Sequence, residues 1–403
     1  MDSGKGAGPL DGLRIVEVSS FVASPLCGLT LSQLGAEVIR VDPIGGASDY
    51  RRWPVTADGE SIYWTGLNRG KRSISCDFRN PESHKLIQQL ATAPGPGGGI
   101  FVTNAGGRDW MSHEALSALR NDVITLEILG KRDGTAGVDY TVNAGLGFPQ
   151  VTGSGGGGVV NHVLPAWDIA CGLHASTALL AAVRHRDHTG AGSQITLPLE
   201  DVALATAGTL GYLTEVMING RQRQATGNAI YGTYGTDFVT ADHARFMIVA
   251  LTSRHFRDLV ELTEAAAAVD ALEAALDTDF RSEGERYEYR DALTALFARW
   301  FRTHTAAEVH DALRKTSVLF EQYRSFTDVV ESDALEANPL FSTLDQPRIG
   351  QYLAAGHPAR FDRRHVAATP APVVGQDSAQ VVAEVLGLGA DEIAGLFQRG
   401  VIG

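Results

Sequence analysis

A strand–helix–strand unit opens the chain, and it limits the possible folds more than any other feature. Leu13-Arg14-Ile15-Val16-Glu17-Val18 reads as a strand and Leu26 to Leu34 as a short helix stopped by Gly35. Glu37-Val38-Ile39-Arg40-Val41 is a second strand, ended by Asp42-Pro43. Strands joined through a helix run parallel, because a tight hairpin cannot connect them that way. The alternation continues with a strand at Arg72 to Cys76, a helix at Ser83 to Ala93 and a strand at Ile100 to Thr103. A helix at Ser112 to Arg120 and a strand at Val123 to Leu129 follow. The predicted class is α/β, with a large Rossmann-like, doubly wound parallel sheet.

Beyond the glycine-rich stretch Gly153 to Gly158, a long helix is predicted from Asp168 to Arg186, then a strand at Gln194 to Leu197 and a helix at Leu199 to Asn219. From Arg221 the character changes. Tyr231 to Ala250 alternates as strands do, with Thr240-Ala241-Asp242-His243 as a hairpin turn. Helices follow at Val260 to Ala275, Arg290 to Arg302 and Glu308 to Arg314. A length of 403 residues suits two domains. The expected division is a large domain over 1–220, completed by 326–403, and a smaller α+β domain over 221–325. The tail from Val381 to Gly403 has helical periodicity and is expected to pack on the large domain.

The net charge of −13 argues against a nucleic-acid or anionic-membrane partner. An anionic ligand would need a local basic site. Three cysteines, Cys27, Cys76 and Cys171, without CxxC spacing, suit a reducing compartment. Met1 to Pro9 is Gly-rich without the apolar stretch of a signal peptide, and no apolar run reaches membrane-spanning length. These points predict a cytoplasmic protein with no membrane partner.

The first strand-to-helix turn, Ser19 to Pro25, lacks the GxGxxG pattern of a nicotinamide site. No HExxH, P-loop or GxSxG occurs either, so zincin, NTPase and ordinary serine-hydrolase chemistry lose support. His185 and His188 lack further ligands nearby and suit a helix C-terminus, so no metal is expected. Arg40, Asn68, Lys71 and Arg72 lie near predicted strand ends, where α/β sheets bind ligands. The cations suit a phosphate-rich ligand, and they equally suit a solvated surface. Asp168 follows Pro165-Ala166-Trp167 and opens the long helix. Unpaired helix-start N–H groups would keep its carboxylate ionised and ready to attack a thioester. The alternative is an ordinary helix cap.

These segments together resemble the family III CoA-transferases nearly end to end. The resemblance is carried by Pro9 to Glu17, Leu34 to Asp42, Asn68-Arg69-Gly70-Lys71-Arg72-Ser73-Ile74, Asp168 with Thr189 to Gln194, and Ala371-Pro372 with Gly375. It implies an interlocked homodimer, an acyl-CoA substrate whose CoA lies over the first domain, and no tightly bound cofactor. It implies Asp168 as nucleophile, with backbone N–H groups near the helix start stabilising the oxyanion. It also implies Val22, Ala23, Arg40, Asn68, Lys71, Asn104, Arg108 and Lys131 as CoA contacts; Leu129 stands where the family has a basic residue, and Lys131 or Arg132 takes its place. Some relatives racemise 2-methylacyl-CoA with a His and an Asp, and Val138 stands at that His position. Gly130 to Gly134, Val138 to Asn143 and Asn161 to Asp168 are similar to a subgroup that moves CoA between the two carboxyls of one branched unsaturated diacid. Transfer to a separate acid such as succinate or formate is the alternative. For transfer within one diacid, Arg51 or Arg52 is expected to hold the free carboxylate, with Arg52 preferred. Gly153 to Gly158 reads as a flap over Asp168 or as a plain surface loop.

Overall fold

The computed structural model describes residues 8–403. The Gly-rich start, read above as no signal peptide, lies outside the described residues as far as residue 7. The chain forms two compact units. The first comprises residues up to Leu146, His162–Gly220 and Asp333–Gly403; the second comprises Gly147–Asn161 and Arg221–Ser332. The sequence pattern put the boundaries at 220–221 and 325–326, with the glycine-rich stretch in the large domain. In the structure Gly153 to Gly158 goes with the second unit, where the Gly153 carbonyl accepts from the Gly227 N–H at 2.7 Å.

The first unit runs β1 (Arg14–Val18), α1 (Ala23–Gln33), β2 (Glu37–Pro43), α2 (Ile62–Asn68), β3 (Arg72–Cys76), α3 (Pro81–Ala91), β4 (Ile100–Thr103), α4 (His113–Ser117), β5 (Ile124–Leu129) and α5 (Asp139–Ala144). The short α6 (Phe148–Val151) belongs to the second unit. The first resumes with α7 (Ala166–Thr189), β6 (Ser193–Pro198), α8 (Leu199–Thr209) and α9 (Tyr212–Asn219). These six strands form one all-parallel sheet in the order β3-β2-β1-β4-β5-β6. The order reverses between β1 and β4, and ligands of such sheets bind beyond the strand ends at that switch point.

Alternation along β1 and β2 sends side chains to two different layers. Val16, Val18, Ile39 and Val41 join Leu86, Ile87, Leu90, Val381 and Val382 in one apolar core. Glu17, in register with Arg40, turns to the opposite face, under α1. There Gly28 lets the helix approach: a Cβ on it would lie 1.7 Å from a Glu17 carboxylate oxygen. Gly172 does the same between α1 and α7, where a Cβ would lie 2.7 Å from the Ala23 carbonyl oxygen.

The predicted helix over Leu199 to Asn219 is broken into α8 and α9, because Gly211 takes φ +81°. Helix α7 is long and apolar enough to cross a membrane by composition alone, with mean hydropathy 1.3 over its most apolar window. Cys171, Ala175 and Leu179 have no accessible surface, which marks a helix packed in this unit's core.

The second unit holds an antiparallel sheet of β7 (Tyr234–Val239), β8 (Arg245–Ala250) and β9 (Leu319–Gln322). Five helices connect β8 to β9: α10 (Ser253–Leu262), α11 (Ala266–Leu276), α12 (Glu283–Glu288), α13 (Arg290–Phe301) and α14 (Ala306–Leu313). Tyr234, Phe238, Phe246, Phe256, Phe297 and Phe301 fill its core. The single helix expected at Val260 to Ala275 is instead divided at Glu264, which takes φ +53°. Helix α15 (Phe326–Glu331) closes the unit.

Back in the first unit, β10 (Phe341–Gln346) pairs with β11 (Gly350–Ala355), and β12 (Arg360–Phe361) with β13 (Arg364–His365). None of these strands was anticipated. Helices α16 (Ser378–Leu386) and α17 (Ala390–Gln398) bring the C-terminus onto β3, where the Gly403 N–H donates to the Ser75 carbonyl at 3.0 Å.

Candidate active site

The switch point is built from the loops that leave β1 and β4. Asn104 ties them together: its Oδ1 accepts from the Ser20 N–H at 3.0 Å and its Nδ2 donates to the Ser20 carbonyl at 2.8 Å. Phe21 sits in the left-handed region at φ +64°, a strained position for a bulky residue. Its N–H donates to Asp49 Oδ2 at 2.8 Å, which holds the turn. Val22 and Ala23 open α1 directly after it, both nearly buried. The Ala23–Gly172 contact places that opening one turn along α7 from Asp168.

Beneath these loops lies a buried ionic network. Arg40 has no accessible surface. Its Nε and Nη2 bind both oxygens of Asp42 at 2.8 and 2.9 Å, and Nη2 also reaches the Ser19 carbonyl at 2.9 Å. Nη1 reaches Ser19 Oγ at 3.3 Å and Asn68 Oδ1 at 3.0 Å. All five guanidinium N–H groups therefore have partners inside the protein. Lys71 donates to both oxygens of Glu17 at 2.8 and 3.0 Å, to the Pro25 carbonyl at 2.8 Å and to Asn68 Oδ1 at 3.0 Å. Burial pulls its ammonium below the usual range while Glu17 works against that pull. The expectation that Arg40 and Lys71 are offered to a ligand phosphate needs correction: both are interior, held by acids that the sequence pattern did not pair with them. Asn68 is likewise fully buried and joins the two cations. Three buried carboxylates, Glu17, Asp42 and Asp49, face these two bases.

Arg108 is exposed beyond β4, over the Phe78 ring at 5.1 Å, and lines a cavity of about 230 Å³ with His113, Glu127 and Thr196. Lys131 follows β5 and is half-buried. Arg132 binds Asp201 at 3.0 Å.

Asp168 occupies the first turn of α7 and is half-buried. The free amides expected around it are absent. Asp139, at the start of α5 and 1% exposed, accepts at Oδ2 from the Trp167 N–H at 2.7 Å and the Asp168 N–H at 3.1 Å. The neighbouring N–H groups of Ala166 and Ile169 bond to the Leu164 and Pro165 carbonyls. The predicted stabilisation of Asp168 by unpaired helix-start amides, and their service as oxyanion donors, is therefore corrected. The same amides are occupied by a second carboxylate. Burial, then the Asp139 charge, push the Asp168 carboxyl up from 3.8 to about 6, and Arg52 pulls the other way.

Arg52 is exposed, with its guanidinium 5.5 Å from the Phe21 ring centre and 5.3 Å from that of Tyr63. Burial raises the Tyr63 phenol to about 12, so it stays a neutral O–H donor at ordinary pH. His162 donates from Nε2 to Asp139 Oδ1 at 2.6 Å, and Trp167 Nε1 donates to Asn143 Oδ1 at 2.9 Å. Sequence reasoning gave no role to Asp139, Tyr63 or Asn143. The one signal available was that Asp139 and Asn143 stand in a quoted stretch, Val138 to Asn143. Cys171, one turn beyond Asp168, is raised to about 12, mainly by burial, and stays a thiol. Among the described residues no group of three His, Cys, Asp or Glu is placed to hold a metal.

The arrangement presents a half-buried carboxylate with raised proton affinity, a cation beside it, and a strained loop at the switch point of a parallel sheet. Such a carboxylate can attack an acyl carbon, and the cation can hold a second carboxylate. The solved structures most like this chain include a CAIB/BAIF family protein from Brucella suis, with a TM-score of 0.76 at 25% identity, covering 94% of this chain and 100% of that one. Rv3272 from Mycobacterium tuberculosis, at TM-score 0.75 and 22% identity over 93% and 98% of the two chains, shares the fold. The chain is 45% identical over 400 residues to the 2-methylfumaryl-CoA isomerase of Chloroflexus aurantiacus, covering 98% of each. It is 26% identical over 420 residues, the whole of both chains, to that organism's succinyl-CoA–D-citramalate CoA-transferase. Residues 10–378 match the model of CoA-transferase family III, and the chain belongs to that family.

Proposed function

We propose that the chain moves CoA between the C1 and C4 carboxyls of one mesaconate (2-methylfumarate) molecule. The observation that carries this reading is Asp168, a half-buried carboxylate raised to about 6, with Arg52 beside it. The 45% identity to a 2-methylfumaryl-CoA isomerase over nearly the whole chain supports the substrate.

An Asp168 oxygen attacks the C1 thioester carbonyl. The C–S bond breaks, CoA leaves as thiolate with the bonding pair, and a mixed anhydride remains. The thiolate attacks the aspartyl carbonyl and releases mesaconate as a dicarboxylate, leaving an aspartyl-CoA thioester. The C4 carboxylate then attacks that thioester, and the thiolate leaves again. Its final attack on the C4 carbonyl releases the product and restores the Asp168 carboxylate. No net proton moves. Dividing one difficult exchange into four lesser steps is what a covalent carboxylate provides.

Val22, Ala23 and Asn104 shape the CoA-facing loop in this reading, and Arg108 and Lys131 meet the phosphates. Arg40, Asn68 and Lys71 hold the loop from below. Arg52 and the Tyr63 O–H hold the carboxylate that is not reacting, which keeps the released diacid in place while it turns. The enzyme works as an interlocked homodimer in the cytoplasm, with CoA arriving only as part of the substrate.

The test is to incubate the protein with the C1 ester of mesaconyl-CoA alone and separate the products. A C4 isomer of identical mass, absent with Asp168→Ala, supports the reading. Turnover only after a free acid is added assigns transfer between separate molecules.

A further inference from the structure

The start of α7 carries an arrangement that the reaction itself leaves without a task. Asp139 comes from another helix, is 1% exposed, and binds two consecutive amides, one of them belonging to the nucleophile. An acid cap at a helix start is ordinary. A cap whose charge lies against a second, half-buried carboxylate is not, because each ion disfavours the other. His162 bonds the remaining Asp139 oxygen at 2.6 Å, and its ring stands 5.9 Å from that of Tyr140 and 6.2 Å from that of Trp167. Trp167 is itself fixed through Asn143. Asp139, His162, Asn143 and Trp167 thus fix the two peptide units on either side of the Trp167 Cα, the second of which carries the Asp168 N–H.

We infer that Asp139, seated by His162, is a positioning residue for the nucleophile: it fixes the Asp168 backbone and denies the Asp168 carboxylate the helix-start amides that would make it a weaker base. The consequence is chemical. A carboxylate held by two amides is a stable anion and a poor nucleophile. One beside a fixed negative charge in a partly apolar site keeps its electron pair available. Arg52 from the loop after β2 opposes Asp139, while Tyr63 of α2 and Cys171 of α7 face Asp168 as neutral groups. Burial raises Asp168 first, the neighbouring Asp139 charge adds to it, and Arg52 lowers it.

The inference rests on Asp168 being the nucleophile, and the first part of its test, a titration, needs no acyl-CoA. The Asp168 carboxyl is titrated by carbon-13 NMR in the full-length protein labelled at aspartate, with the signal identified by its loss in Asp168→Asn. Asp139→Asn keeps an amide-accepting oxygen and removes the charge, so Asp168 is expected to titrate at lower pH. In kinetic terms, a group near 6 is roughly one-tenth ionised at pH 5, and the variant's rate at pH 5 relative to pH 8 is expected to rise roughly threefold or more. His162→Ala is expected to lower kcat about tenfold with KM little changed, and His162→Gln, which keeps a donor to Asp139, to recover most of it. A merely structural cap would change stability and leave the Asp168 titration where it was. An unchanged titration in Asp139→Asn overturns the inference. Should that variant not fold, His162→Ala decides: unaltered titration and unaltered kcat overturn it equally. A shifted titration in a protein inactive on mesaconyl-CoA keeps the inference and sinks the substrate assignment instead.

Discussion

Asp168→Asn is expected to abolish turnover and make the folded protein more stable at neutral pH. The carboxyl stands at about 6 when folded, against 3.8 for an ordinary aspartate, which is its value in the unfolded chain. Between those values the folded state holds the proton more tightly, so this group's contribution to stability falls as pH rises from about 4 through about 6. Above that window both states are ionised, and the folded state carries the full cost of an anion held by burial and by Asp139. Each pKa unit corresponds to about 1.4 kcal/mol, which puts the cost near 3 kcal/mol. Asp168 is partly accessible, and solvent screening brings the expected gain on removing the charge to about 1–2 kcal/mol. Urea unfolding of the two proteins at pH 7.5 and pH 5 reads this directly. The gain should appear at pH 7.5 and shrink by about half at pH 5. A gain equal at both pH values, or a loss at pH 7.5, would refute the reasoning, since neither is a charge effect of the stated sign.

Three further outcomes follow from the same geometry. The kcat/KM of the wild type should fall as pH drops below about 6, where Asp168 takes a proton and ceases to be a nucleophile; a profile flat to pH 4.5 in a stably folded protein contradicts this. Lys71→Met removes the direct cationic partner of Glu17 and three hydrogen-bonding N–H groups, and should cost about 3–5 kcal/mol in denaturant unfolding, with Glu17→Gln in the same chain recovering part of it. Arg52→Ala should raise KM at least tenfold for an ester bearing a free carboxylate, with little effect on the unfolding midpoint, because the side chain is exposed; unchanged turnover removes its assigned role.

The parallel sheet was legible because strand and helix periods differ and each element here is short and cleanly bounded by Gly35, Asp42-Pro43 or Gly95 to Gly99. Asp168 was legible as the start of a long helix. What surrounds it was not. Asp139 lies 29 residues earlier, and nothing in local spacing says that its carboxylate takes the amides of Trp167 and Asp168. The same holds for Arg40 and Lys71. They read as ligand cations because cations are usually exposed, whereas the register of β1 on β2 sets Glu17 opposite Arg40, and Lys71 bonds Glu17 across 54 residues. The β10–β11 hairpin escaped because its turn, Pro347 to Ile349, places the non-glycine Arg348 at φ +65° and gives none of the usual two-residue signals.

The central claim is that CoA changes ends on one diacid that never leaves. The most direct measurement is to convert the unlabelled C1 ester in the presence of excess carbon-13-labelled free mesaconate and weigh the C4 ester formed. The account predicts product at the unlabelled mass throughout, with wild-type enzyme and not with Asp168→Ala. Product carrying the label in proportion to the free acid would contradict it, since the acid accepting CoA would then come from solution.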